Sequence, residues 1–103
     1  MTKRSPTWLS MDFLNKCGYT CQIVEKRLPI PGKFVTQDCF GIADILAYHP
    51  RKGIALVQTT SAANFMARKT KVLASVHLAG WKRAGGLFVV HAWGKGGLRE
   101  EYL

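Results

Sequence analysis

The first apolar segment of the chain has the spacing of an amphipathic helix. Ser5 followed by Pro6 is a favourable helix start, because serine can cap a helix and proline is tolerated at its first position. Apolar residues recur from Trp8 to Cys17, and Gly18 is suited to follow the last helical turn. We therefore predict a helix that begins at Pro6 and ends before Gly18.

Five later segments have the composition of β-strands. Residues 19–28 alternate loosely between apolar and polar positions, and residues 40–48 are largely apolar. Residues 54–60 and 87–93 are apolar as well, and residues 98–103 can add a short edge strand. Because the segment 54–60 is apolar on both faces until its end, we predict that it lies at the centre of a covered sheet.

The segment after the third strand favours a helix. Residues 61–76 carry apolar side chains at helical spacing, and residues 77–84 can add a turn or two that break at Gly80. Residues 33–38 are predicted as a loop or a short extension. The resulting order, α-β-β-β-α-β, predicts an α/β fold with a mixed four- to five-stranded sheet flanked by helices. Residues 1–103 are predicted to form one domain.

The composition is that of a globular protein. Of the 103 residues 48% are hydrophobic, and no apolar run approaches the roughly 20 residues that a membrane span needs. The basic N-terminus has no long apolar segment behind it, which argues against a signal peptide. Cys17, Cys21 and Cys39 follow no metal-ligand pattern and indicate buried, reduced thiols. These features favour a cytoplasmic protein with no membrane partner.

The excess of basic residues indicates a polyanionic partner. Fifteen Lys and Arg stand against six Asp and Glu, which gives a net charge of +9. Between residues 26 and 99 there are twelve basic residues and two acidic ones, Asp38 and Asp44. Each neutralised phosphate releases condensed counterions, so such a surface suits nucleic acid, DNA in particular. A basic surface that only aids solubility is the alternative.

One carboxylate and a pair of polar residues stand out on two neighbouring predicted strands. Strand periodicity places Gln58 and Thr60 on the same face, and Asp44 can lie beside them on the adjacent strand. Carboxylate oxygens bind Mg²⁺, which polarises a phosphate and activates water, while a nearby cation stabilises the charge that develops. This grouping is typical of a hydrolytic phosphodiesterase.

These segments resemble the PD-(D/E)XK nuclease superfamily, in particular its small Holliday-junction-resolvase-like and phage-encoded members. The matching sequences are Gly41-Ile-Ala-Asp44 for the strand with the aspartate and Gln58-Thr59-Thr60 for the E-x-K motif. The resemblance implies a restriction-endonuclease-like αβββαβ core and DNA cleavage with Mg²⁺ or Mn²⁺. It makes Asp44 the primary metal ligand, places Gln58 at the second acid, also as a metal ligand, and places Thr60 at the lysine.

Two departures from that motif leave the rest of the site open. A glutamine carbonyl can ligate Mg²⁺ but adds no negative charge, and a threonine hydroxyl cannot replace an ammonium. Glu25, at the end of the first predicted strand, or Asp12, in the opening helix, can supply the second acid. Lys69 or Arg68 can supply the cation. Glu25 can instead form a surface ion pair with a neighbouring basic residue.

Basic residues outside the motif are candidate DNA contacts. Six of them fall on the predicted helices and in a glycine-rich turn: Arg68, Lys69, Lys71, Lys82, Arg83 and Lys95. Trp81 and Trp93 can stack on unpaired bases, although packing within the fold is the commoner role of such tryptophans. His91 interrupts an apolar strand, which favours a hydrogen-bonded core or edge histidine over a metal ligand.

Three functions are consistent with these features. The first is a metal-dependent endonuclease or resolvase-like enzyme with an altered site at Asp44, Gln58 and Thr60, assisted by Glu25. The second is a catalytically inactive nuclease fold that binds nucleic acid. The third is a small phage or mobile-element protein that acts on a host protein. The resemblance to junction resolvases also implies a homodimer.

Overall fold

The computed structural model describes residues 5–103, and these form three α-helices and seven β-strands. The helices are α1 (Pro6–Lys16), α2 (Phe65–Leu73) and α3 (Val76–Arg83), with a 3₁₀ turn at Ala62–Asn64. The strands are β1 (Thr20–Ile23), β2 (Lys26–Ile30), β3 (Lys33–Gln37), β4 (Ile45–His49), β5 (Gly53–Ser61), β6 (Leu87–Gly94) and β7 (Gly97–Tyr102).

Strand β5 lies at the centre of a mixed sheet with the order β1-β4-β5-β6-β7. It pairs antiparallel with β4 and parallel with β6, while the two outer pairs are antiparallel. A parallel pair needs a crossover connection, and α2 and α3 form it. The predicted α/β class, with a mixed sheet flanked by helices, is confirmed, and so is the central position of β5.

Apolar cores cover both faces of the sheet. On one face Leu14 of α1 packs with Ile45 and Val57, and on the other Val72 of α2 packs with Leu56. These five side chains are all 3% exposed or less. Because successive strand residues point to opposite faces, β5 contributes alternately to the two cores. The same alternation separates the polar residues at the end of β5.

Helix α1 begins and ends where the sequence indicates. The Ser5 side chain accepts a hydrogen bond from the Trp8 backbone N–H at 3.4 Å, and Pro6 is the first helical residue. Lys16 is the last helical residue, and Gly18 has a φ of 93°, a left-handed conformation that favours glycine. The predicted helix is confirmed.

The segment predicted as one strand over residues 19–28 forms parts of two strands. The five-stranded sheet keeps only β1, and the chain then enters β2, which pairs with β3 in a separate two-stranded hairpin. Of the two alternatives predicted for residues 33–38, a loop or a short extension, the loop is wrong, because β3 occupies most of that segment. Pro31 and Gly32 form the hairpin turn. Gly32 has a φ of 74°, which glycine adopts without strain. Pro29 is tolerated in β2 because a two-stranded hairpin consists of edge strands.

The single helix predicted over residues 61–76 is also divided. The 3₁₀ turn precedes α2, and α3 starts anew where the Ser75 side chain accepts a hydrogen bond from the His77 backbone N–H at 3.1 Å. Gly80 lies within α3, so the predicted break at that residue is wrong. Glycine lowers helix stability, but packing of Leu78 into the core outweighs that cost.

Within residues 5–103, no helix has both the length and the apolar character that crossing a membrane requires. The three cysteines are free thiols. Cys21 and Cys39 are half-buried, whereas Cys17 is exposed, so the expected burial of all three is wrong.

Candidate active site

The loop before β4 folds back sharply on itself. Phe40 and Gly41 have φ angles of 56° and 71°, which an extended strand does not allow. Cys39 and Ala43 pair as an isolated β-bridge, in which the Cys39 backbone N–H donates to the Ala43 carbonyl at 2.8 Å. The strand predicted from residue 40 therefore begins only at Ile45.

This loop gathers three carboxylates. Asp38 precedes the bridge and Asp44 follows it, so the fold-back brings the two residues together. The Val24 backbone N–H donates to the Asp44 carbonyl at 2.9 Å, which holds the neighbouring Glu25 against the same loop. Carboxylate oxygens of Glu25, Asp38 and Asp44 all lie within 4.8 Å of one another. That spacing fits oxygen ligands around one divalent cation.

The Asp44 carboxylate is fixed by the end of β5. Its Oδ2 atom accepts hydrogen bonds from the Thr59 backbone N–H at 3.0 Å, from the Thr59 hydroxyl at 2.9 Å and from Gln58 Nε2 at 2.7 Å. The Thr59 hydroxyl is also 2.8 Å from the Thr7 hydroxyl of α1. Helix α1 and strand β5 therefore set the orientation of this carboxylate.

Gln58 has one polar atom that the described part of the chain leaves without a partner. Its Nε2 atom donates to Asp44 and to the Thr59 carbonyl, while its Oε1 atom is buried and makes no hydrogen bond. Leaving a buried acceptor unsatisfied costs about 1–3 kcal/mol. The oxygen atoms that lie close together in the cavity are those of Glu25, Asp38 and Asp44. The donor set therefore suits Mg²⁺ or Mn²⁺, which prefer oxygen ligands.

A cavity of about 480 Å³ opens over these groups. Glu25, Asp38, Asp44 and Gln58 all line it. Two basic residues of α2, Arg68 and Lys71, line it as well, because a spacing of three residues places them on the same side of that helix. The cavity thus combines an acidic group with two cations.

Burial governs the protonation of the central acid. It raises the pKa of the Asp44 carboxyl above its ordinary value of 3.8, while the hydrogen bonds from Thr59 oppose that increase. The negative charges of Asp38 and Glu25 raise the pKa further. Three carboxylates this close repel one another when ionised, and a bound cation would remove the repulsion.

The structure brings together part of the predicted catalytic set. Asp44, Gln58 and Glu25 line the cavity, and their roles as ligands stay predictions. Of the residues described, Thr60 is not part of the lining: it is buried and lies on the same face of β5 as Gln58, two residues further along the strand. The alternative acid in α1, Asp12, is also outside the lining described for residues 5–103.

Asp38 is the acid that the sequence did not indicate. It precedes a segment predicted as a continuous strand, in which it would lie far from the end of β5. The signal for its true position is Gly41, whose φ of 71° completes the fold-back. A glycine inside an apolar strand pattern often marks such a bend.

The candidate DNA-binding residues lie on several elements. Arg68 and Lys71 line the cavity, whereas Lys69 points to β7 and forms an ion pair with Glu101 at 2.7 Å. The last turn of α3 carries Lys82 and Arg83, and the turn between β6 and β7 carries Lys95. Their contact with DNA stays a prediction.

His91 and the two tryptophans have structural partners. Within β6, His91 is fully buried, with Nδ1 2.9 Å from the Ser10 hydroxyl and Nε2 3.0 Å from Glu100. Trp93 Nε1 donates to the same Ser10 oxygen at 2.8 Å, and Trp81 Nε1 donates to the Leu87 carbonyl at 2.6 Å. The prediction of a hydrogen-bonded core histidine is confirmed.

The fold and the cavity define the chain as an α/β domain that carries an acidic cavity beside the central strand of a mixed sheet. Comparisons of the chain with protein-family models, with curated proteins and with solved structures found no match.

Proposed function

We propose that this protein is a metal-dependent phosphodiesterase that acts on nucleic acid, with DNA as the favoured substrate. The observation that carries the proposal is the convergence of Glu25, Asp38 and Asp44 within 4.8 Å in one cavity. A cluster of acids is not a metal site by itself. The second support is Gln58, which lines the same cavity and has a buried Oε1 atom without a hydrogen-bond partner within residues 5–103.

The side chains that line the cavity have separate roles in the proposed reaction. Glu25, Asp38 and Asp44 hold the cation, and Gln58 Oε1 can add a neutral oxygen ligand. A bound divalent cation supplies positive charge that polarises the phosphate and lowers the pKa of water. Arg68 and Lys71 bind phosphate oxygens and stabilise the charge that develops on them. In this proposal the basic residues of α2 take the role of the lysine of the E-x-K motif, which Thr60 replaces in this chain.

The topology supports a relationship to the restriction-endonuclease-like core. Without the β2–β3 hairpin, the order of elements is α1, β1, β4, β5, the helical crossover and β6, which is the αβββαβ order of that superfamily. In this proposal Asp44 keeps the position of the first acid. Asp38 and Glu25 replace the acid that position 58 lacks.

A charge of +9 supports a polyanionic substrate. In a solution of physiological ionic strength, exposed charges act over roughly 8 Å, so the bases nearest the cavity dominate the local attraction. Arg68 and Lys71 are those bases. A phosphodiester strand that enters the cavity therefore meets the two basic residues of α2 and the proposed metal in the same cavity.

The test is cleavage of end-labelled single-stranded, duplex and four-way-junction DNA with Mg²⁺ or Mn²⁺. We expect Asp44→Asn, which keeps the size of the side chain, to lower the rate by at least about 100-fold, because even partners outside a metal's ligand shell typically cost 10- to 100-fold. Asp12→Asn changes the net charge equally outside the cavity and serves as the control. Calorimetric titration with Mn²⁺ should show binding that Asp38→Asn weakens.

A binding protein without catalytic activity is the second candidate. It is favoured by the three donors that already surround Asp44 Oδ2, which partly neutralise this carboxylate without a cation. Wild-type protein that binds DNA but neither takes up Mn²⁺ nor cuts any of the three substrates would support this candidate and refute the enzyme.

A further inference from the structure

Phe40 combines two unfavourable features. Its φ of 56° lies in the left-handed region, where bulky residues are rare and strained. Its side chain is 53% exposed, so burial in the core does not compensate the strain. Asparagine or glycine would satisfy this turn at lower cost. An exposed aromatic ring at a strained position next to a candidate active site indicates that the ring itself has a use.

The ring of Phe40 forms one wall of a second groove. It stacks on the imidazole of His77 in α3, with 5.3 Å between ring centroids and 28° between ring planes. The groove has a volume of about 270 Å³, and Trp81 lines it together with Val76 and Gly80. Its walls are therefore flat and aromatic or apolar, which suits a planar ligand.

Gly80 keeps the groove open along α3. This glycine lies inside a helix, where alanine is more favourable, and a Cβ atom at its position would meet nothing within 4 Å. Neither a left-handed backbone nor close packing therefore requires glycine at this site. Gly80 lines the groove that Phe40 and Trp81 border. The absence of a side chain at this position leaves more room in the groove.

The groove lies beside the acidic cavity. Phe40 stands between Asp38 and Gly41, which both line that cavity. Consecutive Cα atoms are 3.8 Å apart, so the Cα atoms of Asp38 and Phe40 are at most about 7.6 Å apart. A strand with a phosphate at the acids can therefore place a neighbouring base at Phe40.

We propose that this groove binds an unpaired base of a nucleic-acid strand whose phosphate lies in the acidic cavity. The inference rests on the proposed function and names its substrate: a strand with at least one unstacked base, such as single-stranded DNA or a flap. Every base has an aromatic face, so stacking on an aromatic side chain that lines the groove does not depend on sequence. The net charge of +9 supplies the complementary attraction for the strand's backbone.

The experiment compares two probes of equal charge. Fluorescence anisotropy measures the affinity of a labelled oligothymidylate and of an abasic strand of the same length, in EDTA and again in Ca²⁺. Stacking on an aromatic side chain changes affinity by roughly 5- to 150-fold per base, so wild type should prefer the thymidine strand by a factor in that range. Equal affinity for both probes, or no binding of either probe in both solutions, would overturn the proposal.

Two variants locate the preference. Phe40→Gly removes the ring and suits the positive φ, and Gly80→Leu adds a bulky side chain to the groove lining at a position where a Cβ atom meets nothing within 4 Å. Both should bind the two probes about equally, and Gly80→Leu should melt at the same temperature as wild type or higher. Tyr48→Ala removes an equally exposed ring, 54% against 53%, and should keep the preference. Retention of the preference in both groove variants would refute this location.

The readout is separate from the test of catalysis. If the base preference depends on Phe40 and no DNA is cut, the groove stands and the phosphodiesterase proposal fails. If DNA is cut in a metal-dependent way and the base preference is absent, the proposed activity stands and the groove proposal fails. Tighter binding of free thymidine monophosphate than of the strand would refute a strand as the ligand.

Discussion

At the scale of single residues, Gln58 is a neutral side chain in direct contact with the Asp44 carboxylate. Its amide nitrogen donates to Asp44 at 2.7 Å, which stabilises the carboxylate when no cation is bound. Its carbonyl oxygen is buried and has no hydrogen-bond partner among residues 5–103. A glutamate at this position would remove the donor and add a negative charge.

We predict that Gln58→Glu makes stability depend strongly on Mg²⁺. In EDTA a further buried carboxylate beside Asp44 should lower the free energy of unfolding by about 1–3 kcal/mol. Saturating Mg²⁺ should restore most of this loss, because a ligand that binds only the folded state stabilises it. Urea unfolding with and without Mg²⁺ measures both effects. Gln22→Glu, on an exposed position of β1, is the control and should show neither.

A Gln58→Glu protein with the same loss in EDTA and in Mg²⁺ would contradict a metal at this position. The sequence identified Asp44 as the one carboxylate within an apolar segment, and Gln58 as a polar residue at the end of another apolar segment. It did not identify Asp38, because the approach of Asp38 to Asp44 depends on the left-handed backbone at Phe40 and Gly41. Backbone conformation of a bulky residue at positive φ has no pattern in the sequence.

At the scale of secondary-structure elements, the connection from α3 to β6 depends on close contact with a tryptophan. A Cβ atom added to Gly86 would overlap the Trp81 indole ring, which lies over that glycine. The same ring donates a hydrogen bond to the Leu87 carbonyl at 2.6 Å. Trp81 therefore fastens the end of α3 to the start of β6.

We predict that Gly86→Ala destabilises the protein by about 1–3 kcal/mol, because the added methyl group displaces the indole ring and strains its hydrogen bond. Gly96→Ala is the matched control, since a Cβ there would meet nothing within 4 Å. That control should stay within about 0.5 kcal/mol of wild type. Thermal or urea unfolding of the two variants measures the difference. Equal stability of both variants would show that the indole ring moves aside at little cost.

Elements with a strong periodic pattern were predicted better than those set by turns. The apolar segments that became β5 and β6 pair as neighbours, and α1 has the predicted bounds. The β2–β3 hairpin was missed, because Pro29 was taken to end a strand, whereas it lies within β2. Helix α3 was missed as a separate helix. Its start is marked by the Ser75 cap, and a serine acts as a cap only where one helix has ended and the next begins.

At the scale of the whole molecule, one buried network joins residues from both ends of the chain. His91 of β6 contacts Ser10 of α1 and Glu100 of β7, and Trp93 donates to the same Ser10 oxygen. The Phe13 ring packs edge-on against His91, with 5.7 Å between ring centroids. Burial lowers the pKa of His91 below its ordinary value of 6.5, although the hydrogen bond and negative charge of Glu100 oppose this.

We predict that acid weakens the fold through His91. Because the folded state binds the proton at a lower pH than the unfolded chain does, the unfolded state holds more protons just below pH 6.5. The free energy of unfolding should therefore fall as pH decreases from about 6.5 toward the folded-state pKa. Urea unfolding at a series of pH values should show a steeper decrease for wild type than for His91→Gln. Parallel curves for the two proteins would contradict this role of His91.

The sequence alone determined the α/β class, the bounds of α1, the central strand and the basic character of the surface. Each of these follows from local periodicity, capping or composition, which depend only on residues close together in the sequence. Only the tertiary structure decided that Glu25 and Asp38 join Asp44, that Arg68 and Lys71 face them, and that Phe40 stacks on His77. These contacts join residues far apart in the chain, and they depend on strand register and on one left-handed turn. Neither of these is written in the local pattern of polar and apolar positions.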